Sequence, residues 1–138
     1  MLTLNGHTRP TLAITVATCI LVGVRPLQAA DLSPKDAGAR YGQAMGTALA
    51  CRGARLAPAA QRLEAAYAGA ALEQFASAAT QVAALWRTAM SCEKAREINA
   101  CRLMMERNCV IAESEIGPQG TALPGLLEYS DDARTADP

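Results

Sequence analysis

From residue 33 onward, apolar positions recur at helical rather than strand spacing, and turn residues divide the pattern into four stretches. The first, "DLSPKDAGARYGQAMGTALACRG", opens with Ser33 as N-cap, Pro34 at the first helical position and Asp36 in the first turn. Tyr41, Ala44, Met45, Ala48, Leu49 and Cys51 then share one face, which predicts that they point inward, and Gly53 is a natural stop. A second helix is expected near Pro58, with Leu63, Ala66, Tyr67 and Ala70 inward, and Gly69 stands where it would break. Leu72, Phe75, Ala79, Val82, Ala83, Trp86 and Met90 form the longest apolar stripe, which reads as core. From Ser91, a candidate N-cap, Ile98, Cys101, Met105, Cys109, Ala112 and Ile116 fall on one face until Gly117 and Pro118 end the helix.

Two features of this pattern stand apart as candidate partner contacts. Gly38, Gly42 and Gly46 form a small-residue stripe along the first helix, suited to close packing of a second helix of the same chain or of a partner. Beyond Pro118, Gly and Pro forbid a regular element before Leu126, and Leu123, Leu126, Leu127 and Tyr129 of "ALPGLLEY" could either fold back on the helices or dock on a partner. Fold-back is the stronger expectation, because the chain's own groove is always within reach. The last nine residues are polar and read as disordered.

The chain before residue 31 reads differently. His7 and Arg9 precede the uncharged run "TLAITVATCILVGV", Thr11 to Val24, and small residues close the segment at Ala29 and Ala30. This three-part layout predicts a secretory signal peptide over residues 1–30. An uncharged run of fourteen residues falls short of the ~20 that span a bilayer, so no permanent membrane anchor is expected after cleavage. Thr18 is a poor residue before a lipid-modified Cys19, which disfavours a lipoprotein. The expected organisation is thus a leader at 1–30, a helical domain at 31–117 and an extended, partly disordered tail at 118–138.

Composition sharpens the fold class. Thirty alanines in 138 residues, with few Val, Ile and Thr after residue 31, favour an all-α, small three- or four-helix bundle with an irregular C-terminal tail. Setting aside Arg9 and Arg25 leaves 11 basic against 13 acidic side chains, with Lys35 and Lys94 the only lysines, so nucleic acid is not an expected partner. His7, the one histidine, belongs to the leader. The processed chain would therefore hold neither a Ser-His-Asp nor a Cys-His pair and no imidazole for zinc or haem. No CxxCH sequence, phosphate-binding glycine loop or close CxxC pair is present, and no cofactor is expected.

Four cysteines remain after the leader: Cys51, Cys92, Cys101 and Cys109. An even number in an exported domain of this size predicts two disulfides, with three connectivities. On one straight helix Cys92 and Cys101 would lie ~13 Å apart and Cys101 and Cys109 ~12 Å, whereas a bridge needs Cα atoms within about 7 Å. Two bridges therefore require a bend. Asn99 favours a break near Ile98 to Ala100, pairing Cys51 with Cys101 and Cys92 with Cys109; Cys51–Cys109 with Cys92–Cys101 ranks second. Zinc is disfavoured by ligand spacings of forty-one, nine and eight residues. Met45, Met90, Met104 and Met105 bring soft sulfur near the cysteines, which keeps a copper carrier or a thiol-redox protein as an alternative.

Carboxylates add little. Glu93 and Glu97 share a face on the expected helix, Glu113 and Glu115 do not, and all are interleaved with Lys94, Arg96, Arg102 and Arg107 as on a solvated surface. No residue is expected to be catalytic. The chain reads as a periplasmic or secreted, non-catalytic binding or accessory protein of the bacterial envelope, acting on an unidentified protein partner. A small hydrolase using carboxylates is a further alternative.

Overall fold

The computed structural model describes residues 32–130; residues 1–31, with the expected leader, and residues 131–138 of the polar tail lie outside the described residues. Four helices, α1 (Pro34–Ala50), α2 (Pro58–Ala65), α3 (Gly69–Ala89) and α4 (Ile98–Ile116), are joined by two short strands, β1 (Ala54–Leu56) and β2 (Leu127–Tyr129). The fold is a small, disulfide-stapled helical one. The chain enters α1 as its sequence dictates: the Asp36 amide donates to Ser33 Oγ at 3.1 Å, the Ser33 hydroxyl donates to the Asp36 carboxylate, and Pro34 opens the helix.

The glycine stripe decides the packing. A Cβ on Gly38 would overlap the backbone of Phe75, one on Gly42 the backbone of Ala79, and one on Gly46 the Trp86 side chain. Both series advance in the same direction, so α1 and α3 run parallel with their backbones in near contact, and the β1–α2 segment carries the chain back between them. Gly38, Gly42 and Gly46 are consequently buried within this chain and are not a surface for a partner. This close approach also rotates α1 from its expected facing. Leu49, predicted inward, is 72% exposed, while the buried positions include Ala37, Gln43 and Thr47. Ala66 and Ala70 are exposed as well, because α2 stops at Ala65 and Gly69, at φ +55°, starts α3 on a new axis.

Phe75, 1% exposed, centres the core, with Tyr41 and Tyr67 against it at ring-centroid distances of 5.3 and 5.1 Å. Around it pack Ala37, Ala44, Ala60, Leu63, Ala112, Ile116, Leu123, Leu126 and Leu127. The last three come from "ALPGLLEY", so this segment, with Tyr129 beside it, folds back and does not present its leucines to a docking partner. Its backbone completes α4. The amides of Thr121, Ala122 and Leu126 donate to the carbonyls of Ser114, Glu115 and Ile116 at 2.9, 2.9 and 3.0 Å, satisfying acceptors that a helix end leaves open. Gly125, at φ +81°, makes the turn that allows this, and β2 then pairs antiparallel with β1, Ala54 opposite Tyr129 and Leu56 opposite Leu127. These strands were not foreseen from the hydrophobic pattern.

Candidate functional site

Sulfur gathers at the end of the molecule opposite this core. α1 delivers Cys51 just past its last turn, where the Cys51 amide still donates to the Thr47 carbonyl at 2.8 Å. Just past α3, its C-cap Met90 is buried, and its sulfur accepts from Asn108 Nδ2 at 3.8 Å. Residues 91–97 form no helix, and α4 restarts at Ile98 without a side-chain cap. α4 runs antiparallel to α1, since Arg40 meets Glu115 while Cys51 meets Cys109. Its first three turns therefore project past the end of α1.

The four cysteines form two bridges, but not in the pairing ranked first from sequence. Cys51 bonds Cys109 with Cα atoms 5.8 Å apart, and Cys92 bonds Cys101 at 5.9 Å. The physical reason is the position of the break. With the helix interrupted over 91–97 rather than at 98–100, Cys92 lies in the connection and folds onto Cys101 in the first turn of α4. Cys109, two turns further along, is left level with the end of α1. The same interruption removes Glu93 from any helix and leaves Glu97 at the helix boundary, so these carboxylates do not share a helical face. Ser91 is likewise not an N-cap.

Met105 stands one turn after Cys101 and touches the Cys92–Cys101 bridge: its Sδ is 3.1 Å from Cys92 Sγ. A disulfide sulfur carries no proton, so this is a sulfur–sulfur contact and not a hydrogen bond. Met105 also lines a small cleft with Cys51, Cys109, Arg52, Arg102 and Glu106. Thus Met105 lies between both bridges. No group of three or more His, Cys, Asp or Glu side chains is placed to hold a metal ion among the described residues, and no described helix is long and apolar enough to cross a membrane.

A polar cluster that the sequence did not reveal ties α1 to α4. Arg40 Nη1 donates to Glu115 Oε2 at 3.0 Å and to Gln43 Oε1 at 3.0 Å, and Gln43 Nε2 donates to the same carboxylate oxygen at 2.7 Å. Gln43 is buried, so these bonds offset its desolvation and fix the helix pair. Its only sequence signal was the three-residue spacing of Arg40 and Gln43. Tyr41 donates to Glu64 Oε2 at 2.9 Å, and burial, the bond to Glu64 and that carboxylate's charge, in that order, raise the phenol above its ordinary value near 10.

The outward face of α4 is apolar too. Leu103, Met104, Val110 and Ile111 are 66, 65, 66 and 41% exposed, on the side opposite Cys101, Met105, Cys109 and Ala112. Arg107 falls in the middle of this stripe and has no ion-pair partner among the described residues. Comparison of the chain with protein-family models, with curated proteins and with solved structures finds no match.

Proposed function

We propose that the chain is an exported, non-catalytic binding protein of the bacterial envelope that holds a protein partner along the outer face of α4. The exposed stripe of Leu103, Met104, Val110 and Ile111 carries this reading. A helix apolar on two opposite faces suits a position between two packing surfaces, and the chain itself supplies only the inner one. Arg107 defines the complement: an amphipathic partner helix with a carboxylate opposite the guanidinium, laid along about two turns of α4. The two disulfides and the leader-like N-terminus support export to an oxidising compartment.

The test places a photo-crosslinking residue at position 110 in cells and reads adducts by mass. One discrete adduct with another protein is expected, and Arg107→Glu should weaken binding of that purified protein at least tenfold. An adduct unaffected by Arg107→Glu, an adduct only with a second copy of the chain, or no adduct at position 110 while a control position on α3 gives one, would each sink the proposal. Export is checked on the same purified protein, whose intact mass should begin at Ala30 or Asp31.

A further inference from the structure

The outer face of α4 does not use the sulfur on its inner side. Cys101 and Met105 are four residues apart on α4, so their side chains project from one face a turn apart. Cys92 is brought to them by the 91–97 connection, within which the Ala95 amide donates to the Cys92 carbonyl at 3.1 Å. All three residues are half-buried, accessible yet screened. The other bridge joins half-buried Cys109 to Cys51, which is buried and shields one of its two sulfurs. A small reductant therefore meets the Cys92–Cys101 bridge first.

We propose that, once this bridge is reduced, Cys92, Cys101 and Met105 form a three-sulfur site for one copper(I) ion. The bridge accepts two electrons and two protons from a dithiol, which leaves as its own disulfide, and both cysteines become thiols. Copper(I) then displaces the two thiol protons and binds two thiolates and the Met105 thioether, with no change in its oxidation state. Thiolate and thioether ligands select copper(I) over hard cations. With metal–sulfur distances of about 2.3 Å, three ligands around one ion lie roughly 4 Å from each other. The 3.1 Å contact between Cys92 and Met105 opens by about 1 Å, and the two former bridge sulfurs separate to the same spacing, movements that the 91–97 connection carrying Cys92 can supply.

The experiment uses the full exported protein under anaerobic conditions. Limited dithiothreitol treatment is followed by alkylation of one aliquot, to establish that Cys92 and Cys101 alone are reduced, and by removal of the reductant from the rest. Titration with the coloured copper(I)–bicinchoninate complex should transfer one ion per chain, and X-ray absorption should count three sulfurs. Met105→Leu should count two and bind at least tenfold more weakly. The Cys92→Ser/Cys101→Ser variant, its second bridge intact, should take none. Equal uptake by the unreduced protein, no uptake by the reduced one, or a Met105→Leu protein equal to the parent in sulfur count and affinity would overturn the proposal. If the double serine variant fails to fold, the Met105→Leu comparison decides alone.

Discussion

The two ends of this molecule are held together by different means. At one end Phe75, Leu63, Ile116, Leu123, Leu126 and Leu127 fill the space between α1, α2, α3 and the close of α4, and large side chains exclude water. At the other, the last turn of α1, the end of α3 and the start of α4 share no such cluster among the described residues, and both disulfides cross there. Alanine and glycine let α1 and α3 approach closely, yet each buries little apolar area, so an Ala-rich helix pair gains little from burial per residue. Covalent links hold what volume does not. Apolar surface remains along α4 beside the bridges: Leu103 and Met104 before Cys109, and Val110 and Ile111 just after it, are exposed.

The strongest way to break this comparison is to exchange the expected losses. Phe75→Ala should cost about 3 to 5 kcal/mol in urea unfolding, because it empties the centre of the core. Replacing both Cys51 and Cys109 by serine should cost roughly 2 to 5 kcal/mol. Hydrogen exchange gives the sharper contrast. In the serine variant, amides of the first turns of α4 should exchange faster while those near Ala112 and Ile116 stay protected. Uniform loss of protection would mean that the two ends form one cooperative unit and that the division is wrong.

How much of this was legible depended on whether the signal was local. The start of α1 at Ser33 and Pro34, the end of α4 at Gly117 and Pro118 and the burial of Phe75, Ala79, Ala83 and Met90 follow from capping and spacing alone, and the structure has them so, while Leu72 of the same expected stripe is exposed. The turn at "SCEKARE" does not, since Ser, Glu, Lys, Ala and Arg are all residues a helix start accepts. There the closure of Cys92 onto Cys101 overrides propensity, which is why the bridge pairing that depends on it ranks only second on the sequence. Leu49 misled for another reason. Hydrophobicity gives glycine little weight, so the pattern turned α1 toward its leucine, while close helix approach turned it toward Gly38, Gly42 and Gly46. Strands β1 and β2 exist only because the tail folds back, and three residues each are too few to show a period.

Gly42→Ala sharpens the role of that close approach. The new methyl would overlap the carbonyl of Ala79, backbone that cannot move without separating the two helices. The expected net loss is about 1 to 3 kcal/mol, although alanine improves helix propensity by roughly 1 kcal/mol. A stabilised variant would show that α1 and α3 are less tightly apposed than described. The loss should appear at both ends alike, because the stripe runs the length of α1.

The smallest effect concerns pH and locates a weak point at the core end. Tyr41 donates to Glu64 and so links α1 to α2, and its phenol is raised by burial first and then by its carboxylate partner. A group whose value is higher in the folded than in the unfolded chain contributes stability that is complete below the unfolded value, near 10, and is lost as pH rises through the folded one. The urea midpoint of the parent should therefore fall more steeply above pH ~10 than that of Tyr41→Phe, with the two curves parallel below pH ~9. Curves parallel throughout would remove Tyr41 as the titrating link. A steeper fall in the parent, accompanied by early exchange of α2 amides rather than those of α4, would place the alkaline weakness at the end held by packing, where no covalent bond takes over once the phenol loses its proton.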